Sequence, residues 1–597
     1  IQNFPGVARV GGGELVVRGS APDDSSIFIN SMNVPNLYHF GGLRSVVPAG
    51  MIERINFYPG NFPVEYGNAT GGAIDVDLRH LAPQKIGGYA DVSLLDTSLY
   101  LEVPITEEFA LALGGRRSYI GDLLGTLLDG VSDSFVAPRY YDFQVLASYR
   151  PSPAHRIETF FFLSDDVFEI LFSDPVGESA EFVVTDVNYG VNFNRTIAEY
   201  SFIPNDRFEN SLKASYGVDK VHFNIGPDLF LDINLKLTQI RDTARIKLND
   251  KLTLGTGAEF HYAQLDWQMR FPEKDEDAND SEDYLFTDID TSEQALAGFL
   301  ELSFQPFDSL LLVPGVRIDR YSRIDELQVS PRFNGRQDLS DEWALKAGVG
   351  LFVKEPALEE TDRDMGNPSL TLEKAMHYSL GLEYQPAKHI KMEITGFHKT
   401  LHDLVNPTDE VTEQEGETIP LRFNNGGVGR VSGLEFSARH ELANRFFGWL
   451  AYTLSKSERK PYDKEEYELF EFDQTHILNL MGAYQLPKNW EISARFRLVS
   501  GNLYTPINGA VFSDDADDYL PIRGAANSAR VSAFHQLDFR IDKKWVYENW
   551  MLNAYLDIQN VYNQQNPEGI SYNFDYTSTS ERSGLPIVPI LGLKGEF

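Results

Sequence analysis

The chain has 597 residues, no cysteine, and 52 Lys+Arg against 88 Asp+Glu, a formal net charge of −36. Such an acid excess argues against nucleic acid as a partner, because a binder must meet phosphates with a basic face. The missing cysteine excludes disulfide staples, thiolate metal centres and thiol catalysis, and no run of about 18 apolar residues marks a spanning helix, so a membrane protein of this sequence has to be a β-barrel.

The opening residues, IQNFPGVARVGGG, carry no basic segment followed by an apolar stretch. A signal peptide, if there is one, is therefore expected upstream of them. Residues 1–84 are glycine-rich, with short apolar pieces (LVVRG, IFINSMNVP, IERINFYPG, GGAIDVDL) split by turns. This predicts a small α+β domain rather than lipid-facing strands.

From 85 to 597 one pattern repeats: a segment of roughly 8 to 14 residues with period-two alternation, then alternately a short turn and a long polar loop. In the segment 533–545, Leu537, Phe539 and Ile541 share one face while Asp538, Arg540 and Asp542 share the other. Leu552, Ala554, Leu556 and Ile558 likewise oppose Asn553, Tyr555, Asp557 and Gln559. Strands with two different faces suit a chain that is 12% aromatic yet has negative mean hydropathy. Roughly ten short turns predict about 22 antiparallel strands, an even number as in outer-membrane barrels. The opposite connections, at 118–139, 271–291, 402–424, 456–472, 502–530 and 561–583, are long and polar. Short turns on one side and long loops on the other are the mark of periplasmic and extracellular ends. A propeller is disfavoured because no blade motif recurs at 40 to 50 residues. The chain closes on Leu591, Leu593, Gly595 and Phe597 in one parity, as the terminal strand of an outer-membrane barrel does. A barrel of about 22 strands encloses a lumen wide enough to need filling, and the domain at 1–84 is of a size to fill it.

Several segments carry a family resemblance. VVRG (16–19), IFINSMNVP (27–35), IERI (52–55) and EYGNATGGAIDV (65–76) resemble the plug domain of TonB-dependent outer-membrane receptors. SPRFNGRQDLSDEWALKAGVGLFVKEPALEE (330–360), NPSLTLEKAMHYSLGLEY (367–384), GRVSGLEFS (429–437), FDQTHILNL (472–480) and QNVYNQQN (559–566) are similar to that family's barrel, in family order. The resemblance implies a plug at 1–84 inside a barrel at 85–597. It further implies a lock in which the plug's Arg18 and Arg54 pair with the barrel's Glu383 and Glu435. A carboxylate in a partly desolvated interface needs a cation, and arginine offers a bidentate fork. Two departures stand out: PGV falls at 5–7, so the energy-coupling TonB box is not seen in this sequence, and IER is followed by Tyr58, Pro59 and Gly60 rather than Arg-Gly.

Family ligands meet the plug apex, here 32–48, which makes Tyr38, His39, Phe40 and Arg44 the candidate binding residues; the bland reading packs Tyr38 and Phe40 against the wall. Asp275, Asp277 and Asp280 in EKDEDANDSED offer hard oxygen ligands for Ca²⁺, although the segment lacks EF-hand spacing and reads more simply as a solvated loop. Otherwise no cofactor is expected. Haem is disfavoured, since 352–370 holds no histidine, and His398 and His402 sit about 13 Å apart on one strand. No GxSxG or HExxH motif points to an enzyme. The expected function is import of a scarce solute, siderophore-like, vitamin, saccharide or peptide. The expected partners are a periplasmic TonB-type transducer and outer-membrane lipid and lipopolysaccharide. The alternative is a receptor-like barrel that scaffolds surface-protein assembly or secretion.

Overall fold

The computed structural model describes residues 1–9, 14–39, 42, 44–119, 121, 134–136, 139–176, 184–226, 229–272, 284–324, 326–363, 365–414, 417–461, 464–513, 518–584 and 586–597. Twenty-two antiparallel strands form the wall, from Gly87–Ser93 to Val588–Glu596, and these two pair with each other to close it. Closure leaves no edge strand, so the barrel needs no staple to protect its backbone groups.

Strand parity sorts the side chains as the alternation predicts. Leu296, Leu300, Leu380, Leu434, Leu591 and Leu593 are exposed on the outside, while Asp142, Glu158, Asp219, Glu435, Asp538 and Asp542 are buried on the inside. A charge on the lipid band costs about 1 to 4 kcal/mol, which sends the acid excess inward. Near the short turns the outer surface carries Trp343 stacked on Tyr384, with ring centroids 4.2 Å apart, and Tyr547 stacked on Trp550 at 4.5 Å. Amphipathic rings at one level mark a membrane–water interface.

The described residues of segment 1–78 lie inside the barrel. Their sheet runs Met32–Asn33, Ser26–Ile29, Ala73–Leu78, Ile52–Tyr58, with only the Ser26–Ile29/Ala73–Leu78 pair parallel. Beside it Val7–Arg9 pairs with Leu15–Val17. Helical content among the described residues of this plug is two 3-10 turns, Pro22–Asp24 and Ala49–Met51. Its apolar core does not end at its own surface. Ile29, Met32, Val46, Met51 and Val76 form one cluster with Leu146, Phe160, Phe162, Phe193 and Ile197 of the wall. Each such side chain contributes roughly 1.5 to 3 kcal/mol on burial, so the sector of wall from Asp96–Pro104 to Val184–Asn205 is where the plug is greased to the barrel.

Candidate functional site

Arg18 and Glu435 meet across the plug–wall interface. Arg18 donates from Nε to Glu435 Oε1 at 2.8 Å and from Nη2 to Oε2 at 2.6 Å, both side chains buried. The local sequence explains the placement. Arg18 and Gly19 both have positive φ, 51° and 65°, so the chain turns sharply after Leu15–Val17 and aims the guanidinium at the wall. A Cβ on Gly6, whose φ is also positive, would stand 2.4 Å from Glu435 Oε1, and one on Gly19 would stand 2.9 Å from the Ser457 Cβ. The glycines of PGV and VRG thus leave room for the ion pair.

The other half of the expected lock is not formed. Arg54 is 69% exposed and bonds Asp77 within the plug, with Nη2–Oδ2 at 2.6 Å. Glu383 is held instead by wall cations, Lys391 at 3.0 Å, Arg336 at 3.1 Å and Lys346 at 3.4 Å. The physical reason is register. A bulge between Ile52 and Arg54 sets Arg54 opposite Asp77, while Glu383 lies opposite Glu393 and Ala344 on neighbouring strands, where inward-pointing lysines are nearer than any plug residue.

The apex also departs from expectation. His39 is 1% exposed, with Nε2 2.7 Å from Asp142 Oδ2 and Nδ1 3.0 Å from Asp166 Oδ1. Its ring stacks on Tyr140 at 4.4 Å, and Arg116 lies 3.7 Å from Asp142. Burial by itself would lower the His39 pKa, but hydrogen bonds and charge from the two aspartates outweigh it and raise the pKa. An imidazole with a carboxylate on each nitrogen is a double donor, hence charged. So His39 pins the apex to the wall and does not face a ligand. Tyr38 is half-buried beside the main apolar cluster, and burial pushes its phenol up to about 12. Arg44 bonds Asp96 at 2.9 Å and lines a cavity beside the plug. Phe40, Asp275, Asp277 and Asp280 lie outside the described residues.

Motif reading missed a larger feature: wall cations that bind plug backbone. Arg332 Nη1 donates to the carbonyls of Phe62, Pro63 and Tyr66 at 3.2, 2.6 and 2.8 Å. Arg317 Nη1 reaches Val64 and Glu65 O, both at 3.3 Å. Arg241 donates to Ser31 O at 3.2 Å and Glu65 O at 2.8 Å, and Lys399 Nζ to Gly71 O at 2.6 Å. His377 donates from Nε2 to Thr70 O at 2.8 Å and accepts the Asn61 N–H on Nδ1 at 3.3 Å. Segment 61–72 is irregular backbone inside a protein, and these four cations and the neutral His377 satisfy backbone groups that no strand partner reaches. A Cβ on Gly67 would stand 2.5 Å from the Arg317 guanidinium and would push it off these carbonyls.

On another flank Ala8 and Val16 of the plug pack on Ile477 and Val499 of the wall, with a cavity beside them. A cavity of about 510 Å³ runs between Gln2, Arg9, Gly42 and Arg44 of the plug and the strands Trp490–Val499, Phe534–Val546 and Met551–Gln559. It touches Glu491 near a short turn and Asn502 beyond the long-loop end of the same strand.

Comparison with known proteins follows this architecture. The TonB dependent receptor-like, beta-barrel family matches residues 133–561. The ferrienterobactin receptor of Escherichia coli is 21% identical over 503 residues, covering 64% of this chain and 63% of that receptor, so less than two thirds of the relative's length is matched. Among solved structures, the ferric enterobactin receptor of Pseudomonas aeruginosa superposes with a TM-score of 0.73 at 17% identity, covering 100% of this chain and 96% of that one. The outer membrane transporter YddB of Escherichia coli gives 0.73 at 11% identity, covering 100% and 93%. With a family match over more than half its length and a plugged, closed barrel, the chain belongs to the TonB-dependent receptor-like β-barrel family, which makes it a receptor barrel of the bacterial outer membrane and not an enzyme.

Proposed function

We propose that the protein imports a scarce solute of siderophore type, captured at the long-loop end and released inward when a TonB-type transducer pulls on the plug. One observation carries this reading: a lumen of 22 strands is filled by a plug held through apolar packing, buried ion pairs and hydrogen bonds, with no covalent tie. A filled lumen is useless as an open pore, and a plug held only by breakable contacts suits gating. The names of its relatives, receptors for ferric enterobactin, favour an iron chelate over the other solute classes. Outer-membrane lipid is the partner of the apolar outer face, with lipopolysaccharide near the loops.

Mass spectrometry of material co-purified in mild detergent from iron-starved cells tests the proposal. The expected finding is a bound iron chelate, with lipopolysaccharide alongside. Stoichiometric surface protein with no small solute would overturn import and favour the scaffold role.

A further inference from the structure

The strand Trp490–Val499 points Glu491, Ser493, Arg495, Arg497 and Val499 into the lumen, and all five line the cavity beside the plug. About ten residues at 3.3 Å each make the cavity roughly 30 Å long.

The charges along this cavity, the seam between plug and wall, run against the rest of the molecule. In a chain of net charge −36, five arginines and three carboxylates face the cavity. The carboxylates already have partners: Asp538 takes Arg495 at 2.5 Å, Asp557 takes Arg540 at 3.8 Å and Glu491 takes Lys544 at 3.6 Å. Arg44 is held by Asp96. Arg497 is different. It is 6% exposed and forms no ion pair among the described residues. Among the described residues its one hydrogen bond is a 3.3 Å contact from Nη1 to Gln2 Oε1, the Phe534 ring lies 5.5 Å away, and both its Nε and Gln2 Nε2 lack an acceptor. Arg332 and Arg241 also have an orphan Nε, but their Nη groups are consumed by plug carbonyls. Arg332 also lies against the Phe62 and Phe352 rings, 4.8 and 4.3 Å from their centroids.

A buried guanidinium without an anion is costly unless something supplies the anion. The side chains of Arg497 and Gln2, each with a donor left unpaired among the described residues, line one polar space with Asn502 and Gln536. We propose that Arg497 and Gln2 form an anion site in the seam, which takes an oxyanion group, carboxylate, phenolate or phosphate, of the imported solute as it leaves the apex. The site deepens the import reading only in naming the source of the oxyanion. Anion binding at Arg497 stands or falls without it.

Calorimetric titration of the purified full chain with inorganic phosphate tests the site. The expected result is one saturable site, weakened at least tenfold in Arg497→Gln, weakened less in Gln2→Met, and unchanged in Arg54→Gln. Arg497→Lys, which keeps the charge, retains binding within a few-fold and guards against a folding defect. No phosphate binding by the unaltered chain, or equal binding by Arg497→Gln, would overturn the proposal. A second arm follows energised uptake of ⁵⁵Fe from ferric enterobactin. Uptake that falls in Arg497→Gln assigns the oxyanion to the solute, and uptake that matches the unaltered chain overturns that assignment. If the unaltered chain binds phosphate but imports no iron, the import reading fails and the anion site is upheld.

Discussion

The two flanks of the plug use the same residue type to opposite ends. Along segment 61–72, Arg241, Arg317, Arg332 and Lys399 spend their N–H groups on plug carbonyls and bring plug and wall into contact. Along the seam, Arg497 makes one long bond to Gln2, lies 5.5 Å from the Phe534 ring and has no carboxylate partner among the described residues. A buried cation is therefore not one kind of feature in this barrel. Where its donors are used it fixes position, and where they are idle it marks a place kept ready for something else.

The sharpest way to break the contrast is to remove one partner of the buried Arg18–Glu435 ion pair. Glu435→Ala leaves Arg18 charged and dry, and should cost about 3 to 5 kcal/mol, read as a lower urea midpoint for plug release followed by limited proteolysis. The double change Arg18→Met with Glu435→Leu should recover most of that loss, because replacing a whole buried pair by apolar groups is often neutral. Next in size is Arg332→Met, which strands three plug carbonyls and should cost about 2 to 3 kcal/mol.

His39 sharpens the contrast through pH. Its folded pKa lies above the usual value of about 6.5, so protons bind the folded apex more tightly than the unfolded one. The resulting stability is complete below about pH 6.5 and is lost as pH rises through the folded value. The groups that raise it are Asp142 and Asp166, and Arg116 faces the same site 3.7 Å from Asp142. His39→Phe should cost about 2 kcal/mol at pH 6, and its protease resistance should then vary less with pH across that window than the unaltered chain's. A parallel pH response in both would discard the assignment. The smallest effect belongs to Arg54→Ala, under about 1 kcal/mol, since its partner Asp77 is a surface pair. A loss as large as that of Glu435→Ala would restore Arg54 to the lock.

Much of this was legible in the alternation of the chain. Period two gave the wall, the inward acids and the outward leucines, and loop asymmetry gave its two ends. The VRG motif and Glu435 were legible through resemblance, and the positive φ at Arg18 and Gly19 supplies their mechanism. What was hidden depends on contacts across strands. Glu383 finds Arg336, Lys346 and Lys391 only once neighbouring strands are in register, and His39 finds Asp142 and Asp166 more than 100 residues away. The clasp was harder still, because a carbonyl acceptor belongs to every residue and leaves no mark in a sequence. Arg497 reads as one more lumen-facing arginine until its missing partner is seen.

The most direct test sets two buried arginines side by side. Urea midpoints for plug release are measured for Arg332→Met and Arg497→Met in a buffer low in binding anions. The account predicts opposite signs: the midpoint falls for Arg332→Met, which loses its bonds to the plug, and rises for Arg497→Met, which loses an uncompensated charge. A fall of similar size in both would mean that Arg497 holds the plug as Arg332 does, and would contradict the distinction between a clasped flank and one kept open for an anion.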